Sequence, residues 1–146
     1  MLKVTLKSNK QIVQEAWRTF ASRDPVLISA AFTDQAEWLA PAGNATAIAL
    51  NYTNHMIGKE AIARFLTEEF PKLFVSDVSV EFTGLYADGD KVILEERMRA
   101  TLSSGRSYDN EYCFIFTLSG DKISFVREYM DTQRGAKCIF GRASDA

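Results

Sequence analysis

Residues 91–132, KVILEERMRATLSSGRSYDNEYCFIFTLSGDKISFVREYMDT, read with a period of two through three consecutive segments. Those segments, 91–102, 108–118 and 122–132, are separated by Ser104-Gly105 and Gly120-Asp121, each a turn dipeptide. A fourth segment, 75–86, precedes them across Asp88-Gly89. Connections this short predict an antiparallel meander. Alternation sorts the side chains into two rows per strand. In 91–102 one row holds Glu95, Arg97, Arg99 and Thr101, and the other Leu94, Glu96, Met98 and Ala100. In 108–118, Asn110, Tyr112, Phe114 and Phe116 oppose Glu111, Cys113, Ile115 and Thr117. In the last segment Ser124, Val126, Glu128 and Met130 oppose Phe125, Arg127, Tyr129 and Asp131. Neither face is cleanly polar, which predicts cover on both sides: helices on one, and a second subunit in a homodimer on the other. A monomer with scattered exposed apolar residues is the alternative.

Upstream the period becomes helical. Ile12, Val13, Ala16, Trp17, Phe20 and Ala21 form a stripe over 9–22, with Ser8 and Gln11 as a capping box. Asp24-Pro25 starts a short second helix from Val26 to about Phe32. Ala36 to Ala40 reads as a short strand, and 41–57 as the longest irregular stretch, at a pocket mouth or lid. A third helix begins near Lys59, with Ile62, Phe65, Leu66, Phe70 and Leu73 on its apolar face, and Pro71 ends or kinks it. The segment after Gly135 reads as a surface tail. Helices followed by strands predict one α+β domain over 1–146 with a mainly antiparallel sheet.

The 146 residues suffice to bury a core without staples. Ten Phe, five Tyr and two Trp exceed what a minimal core needs and suggest an aromatic wall for a small hydrophobic molecule. The net charge of −2 and the absence of a dense Lys/Arg cluster exclude a nucleic-acid face. No apolar run nears the ~20 residues of a membrane span, and the first residues lack a signal-peptide core. Cys113 and Cys138, without metal-ligand spacing, fit a reducing cytoplasm, with a disulfide through Cys138 as the alternative. Neither a metal nor a cofactor is expected.

Three segments resemble the NTF2-like, or SnoaL-like, superfamily: the helix ending in FASRDP and leading to AEWLAPAG, then MIGKEAIARFLTEEF, then YDNEYCFIFTLSGDKISFVREYMDT. The resemblance implies a cone-shaped sheet around a deep pocket. Its inner face would carry Arg97, Arg99, Asn110, Tyr112, Glu128 and Met130, with Trp38 from the short strand and aromatic surface from Phe114 and Phe20. It also implies chemistry that can be checked by position. The steroid isomerases' base, tyrosine and second acid fall at Ala40, near Ala16 and at Cys113, so those groups are absent. Limonene-epoxide hydrolases place an Asp–Arg–Asp set here. This chain keeps Arg97 and has Glu128 within REYMD, but Arg99 stands at the remaining Asp, and Trp38 and Ala40 replace the water-positioning pair.

The expectation is therefore a SnoaL-like isomerase or cyclase acting on a carbonyl-bearing substrate. Glu128 would move a proton, with its pKa raised by desolvation, and Arg97 with Arg99 would stabilise the developing negative charge. A buried Glu128–Arg97 ion pair that only fixes strand register is the structural alternative. His55, the only histidine, is a candidate proton shuttle. Trp38, Asn110 and Tyr112 would position the ligand. A binding module without chemistry is the competing class.

Overall fold

The computed structural model describes residues 6–141. The first helix, α1 (Asn9–Ser22), opens on the predicted capping box: Ser8 accepts from the Gln11 amide and Gln11 reaches back to the Ser8 amide. Asp24 caps α2 (Pro25–Ala30), accepting from Val26 and Leu27. The chain then enters β1 (Phe32–Leu39), longer than predicted because Phe32 and Ala36 also turn into the core.

The stretch 41–57 is not irregular. Asn44 caps a short helix, α3 (Ala45–Leu50), by accepting from Ala47, and β2 (His55–Ile57) pairs with β1. A six-residue helix behind an Asn cap is too short to display an amphipathic period, so only the cap marks it in the sequence.

The third predicted helix is present in three parts. After α4 (Lys59–Arg64) comes a π-helical turn, Phe65–Glu69, and then α5 (Phe70–Leu73). Pro71 has no N–H to donate, and the Phe70 amide bonds Phe65 O, five residues back. The kink turns Phe65, Leu66 and Phe70 toward the interior.

Four strands follow: β3 (Phe74–Asp88), β4 (Lys91–Leu102), β5 (Ser107–Ser119) and β6 (Lys122–Met130). They form the predicted meander, and the six-stranded sheet runs β2-β1-β6-β5-β4-β3. Only the β1–β6 pair is parallel. The sheet curves without closing. Its concave side holds α1 and the aromatic core, in which Trp17 sits 5.0 Å from Phe114 and 5.1 Å from Phe20, centroid to centroid.

The segment after Gly135 is not a tail. Asp131 caps α6 (Thr132–Phe140), which covers β5 and buries Gly135 and Ile139. Residues 142–146 of the predicted tail lie outside the described residues, as do 1–5. Cys113 and Cys138 are both free thiols. Among the described residues no helix is long and apolar enough to cross a membrane.

Candidate functional site

Burial alternates strictly along β4: Val92, Leu94, Glu96, Met98, Ala100 and Leu102 are buried and the residues between them are not. The inner row of β4 is therefore the one that carries Glu96. Arg97 and Arg99 point to the outer face, contrary to the inward placement that the resemblance implied. There Arg97 grips Asp109 with two hydrogen bonds, Nε–Oδ1 2.8 Å and Nη2–Oδ2 2.6 Å. Arg99 and Arg134 approach the same carboxylate at 3.7 and 3.5 Å. The Arg97 guanidinium holds Asp109 below the usual carboxylate range, and Asp109 raises Arg97 in turn. A guanidinium beside a carboxylate and water loses less than one alone in an apolar cavity, which decides the row. The Glu128–Arg97 pair does not form.

On the inner side lies a cavity of about 520 Å³, bounded by α1, the kinked third helix, α3 and the concave face of the sheet. Trp17, Phe20, Trp38, Phe82 and Phe114 line it, together with Val78 and Val80, which are exposed on β3. Two carboxyl groups border it, Glu128 on β6 and Glu96 on β4. Register puts Glu128 opposite Phe114 and Glu96 opposite Tyr112, with the two rings stacked at 5.7 Å and 3° on β5 between them.

Glu128 keeps part of its surface toward the cavity, but protein encloses it on every other side. Trp38, brought alongside by the parallel β1–β6 pairing, donates its indole N–H to Glu128 Oε1 at 2.7 Å. Burial raises the Glu128 pKa to about 7, and the Trp38 bond, which favours the ionised form, offsets only part of that. Glu96 is 3% exposed, and its Oε1 is buried with no hydrogen-bond partner. Burial first, and the charge of Glu128 second, push it up to about 8.

A chain of polar groups reaches the cavity from behind. Asn110, fully buried, donates from Nδ2 to Tyr108 Oη and to Asp131 O, both at 3.1 Å. Tyr108 and Tyr112 share a short hydroxyl–hydroxyl bond. Either hydroxyl can donate in that bond, since Tyr108 Oη accepts from Asn110 with one lone pair and keeps a second for Tyr112. Burial above all raises both phenols, Tyr108 to about 12 and Tyr112 well above its ordinary value, so both remain O–H donors.

The structure brings Glu128, Trp38, Tyr112, Phe114 and Phe20 to the cavity. Asn110 lies one layer behind it, and Met130 packs on the core without bordering it. His55 is turned away: its Nε2 meets Glu37 Oε1 at 2.7 Å on the outer side of the β1–β2 pair, both side chains 38% exposed. A shuttle role inside the cavity is closed to it. Sequence reasoning missed Glu96 and Tyr108, although an acid in the otherwise apolar row Leu94–Met98–Ala100 was the signal for the first. Among the described residues no group of three or more His, Cys, Asp or Glu is placed to hold a metal.

Gly135 lets α6 lie against this network, because a Cβ there would stand 3.2 Å from Asn110 Nδ2. Alanine normally gains about 1 kcal/mol over glycine inside a helix. Here Asn110 is held by its bonds and cannot retreat, so Gly135→Ala should lower the melting temperature. A rise measured by differential scanning calorimetry would show that the contact yields.

A family model described as SnoaL-like domain matches residues 13–126. No curated protein matches the chain. Among solved structures, an NTF2-like protein of unknown function from Burkholderia pseudomallei K96243 superposes with a TM-score of 0.78 at 18% identity, covering 91% of this chain and 98% of that one. A protein with a ketosteroid isomerase-like fold from Catenulispora acidiphila DSM 44928, in complex with trimethylamine, gives 0.71 at 15%, covering 97% and 99%. A limonene-epoxide-hydrolase-like epoxide hydrolase from M. tuberculosis gives 0.70 at 16%, covering 91% and 90%. At these identities the likeness is one of fold.

Proposed function

Because the chain belongs to the SnoaL-like domain family, whose fold serves several chemistries, we propose from its own cavity that it is an acid–base enzyme acting on a hydrophobic, carbonyl-bearing small molecule. The observation that carries this reading is Glu128: a carboxyl with its pKa raised to about 7, fixed by Trp38 at the wall of an aromatic cavity. Such a group is part ionised and part protonated at neutral pH, the condition for taking and returning a proton.

Ionised Glu128 accepts a proton from the carbon next to the carbonyl. The C–H electron pair moves into the enolate, and the negative charge collects on oxygen. Tyr112, at the cavity wall, turns its hydroxyl from Tyr108 to donate to that oxygen; it takes the part first assigned to Arg97 and Arg99. Return of the proton from Glu128 to a different carbon completes an isomerisation; attack by the enolate carbon on a second carbonyl of the same molecule, whose C–O π bond breaks and whose oxygen takes the proton from Glu128, completes a cyclisation.

The test is deuterium exchange. A panel of hydrophobic cyclic ketones is incubated in D2O, and deuterium gain is followed by mass spectrometry. Wild type should label at least one ketone, and Glu128→Gln should cut the rate by ~10²-fold or more. Equal rates in both proteins, with ketones that bind saturably, would establish the carrier reading instead.

The outer face, with Arg97, Asp109, Arg127 and Tyr129, is the surface through which a second copy would pair. Sedimentation at micromolar concentration tests this, and a monomer would refute it.

A further inference from the structure

Glu96 has no task in the proton transfer just described, and its situation is unusual. Its Oε1 is the sole buried side-chain oxygen or nitrogen without a partner among the described residues. A buried carboxyl oxygen normally has a donor, and one without at a cavity wall is a place for a water or a ligand that brings it. Glu96 faces the same cavity as Glu128, two strands away, which separates their backbones by about 10 Å. Tyr112 and Phe114 line the space between them.

Among the described residues no cation balances these two acids. The neighbours that shift them electrically are Glu128 for Glu96 and the Trp38 N–H for Glu128. Two arginines border the cavity, and neither is among the groups that shift Glu96 or Glu128. Arg23 is bound to Phe20 O at 3.1 Å and Leu66 O at 3.3 Å, with its guanidinium 4.6 Å above the Phe70 ring. Arg18 stands on the exposed side of α1. The remaining walls offer no charge: Val78, Val80 and Phe82 from β3, Phe65 and Leu66 from the kinked helix, and Asn44 and Thr46 around α3. The titratable groups facing Glu96 are therefore Glu128, Tyr112 and, behind it, Tyr108.

We propose that Glu96 is a recognition carboxylate for an amine, so that the ligand class is a hydrophobic molecule carrying a protonated nitrogen. An ammonium group only donates hydrogen bonds, which is what an orphaned carboxyl oxygen requires. The electron-rich faces of Trp17, Trp38 and Phe114 attract a cation and disfavour an anion. A neutral carbonyl can accept from the acid form of Glu96 but brings no donor to Oε1, while Tyr112 serves it well. The two groups thus recognise different parts of one ligand, and the substrate class narrows to apolar amino-carbonyl compounds. This inference rests on the cavity being the small-molecule site, but it needs no chemistry at Glu128. Since Glu96 is largely protonated in the empty cavity at pH 7, seating a cation beside it expels a proton.

The experiment is isothermal titration calorimetry at pH 7 with 4-phenylbutylamine, its neutral analogue 4-phenylbutan-1-ol and the anion 4-phenylbutyrate. Each is run in two buffers of different ionisation enthalpy. The amine should bind roughly tenfold or more tightly than the alcohol and release a proton, and the butyrate should not bind. Glu96→Gln should bring the amine down to the affinity of the alcohol and abolish proton release, while leaving the alcohol unchanged, which also shows that the variant is folded. An alcohol that binds as well as the amine, or an amine indifferent to Glu96→Gln, overturns the proposal. Deuterium exchange with no amine preference would sink this inference alone, and amine preference with no exchange would sink the catalytic reading alone.

Discussion

At pH 8, Glu128→Gln should melt about 6–12 °C above wild type, and at pH 4 the two proteins should melt together. The folded pKa of about 7 lies above the ordinary value of 4.5. Between those values the native state holds more protons than the unfolded chain, so wild-type stability falls as pH rises. The loss begins near pH 4.5 and is complete once pH passes 7. Each tenfold change in acidity is worth about 1.4 kcal/mol, so the whole loss comes to about 3 kcal/mol. Glutamine has no charge to bury, and its amide oxygen still accepts from Trp38. Glu96, raised chiefly by its own burial, leaves the variant a residual decline of the same sign that ends below the wild-type value of about 8, because the charge of Glu128 is gone. A variant less stable than wild type at pH 8 would mean that a cation holds Glu128 ionised, and the acid–base reading would fail with it. The same destabilisation that the variant removes is what makes the native carboxyl a competent base.

Asn110→Ala is the second large effect, and it should cost about 3 kcal/mol in urea denaturation. The side chain is fully buried and bonds in three directions, to Tyr108 Oη, to Asp131 O and from the Glu111 amide. Its removal leaves a cavity, takes the side-chain acceptor from the Glu111 amide, and deprives the Asp131 carbonyl and the Tyr108 phenol of one of their partners each. It should also slow any Tyr112-assisted exchange about tenfold, because Tyr108, which bonds and positions the Tyr112 hydroxyl, loses the amide that holds it. A loss under about 1 kcal/mol would show that water or a shift of α6 replaces the amide.

The elements that declared themselves in the sequence are those whose signal is local. The Ser8–Gln11 box, the Asp24-Pro25 restart and the three glycine turns of the meander each depend on a few neighbouring residues, and each is present. Helix α3 escaped because its signal is a single cap, Asn44, and α6 because glycine inside a helix argues against one until its packing on Asn110 is known. The site was half legible. Glu128, Trp38 and Tyr112 border the cavity, on the inner face that the resemblance implied for them. Arg97 and Arg99 were drawn inward by likeness to an arginine of epoxide hydrolases, although the apolar row Leu94–Met98–Ala100 already marked the other face as buried. Taking that row at its word would have carried Glu96 into the cavity. The Arg97–Asp109 fork joins residues 12 apart on adjacent strands, and it becomes visible only when register is known.

Trp38 and Glu128 are 90 positions apart in the chain. The meander can assemble from hairpins whose partners are near neighbours, but β1 has no long strand to join until β6 exists. During synthesis, at roughly 5–20 residues per second, the N-terminal helices and β1 wait on the order of ten seconds for their partner strand to emerge. The aromatic residues of α1 and β1 spend that interval without the sheet that will cover them. A chain cut anywhere between the meander's first hairpin and Glu128 would keep part of its sheet and have no site at all.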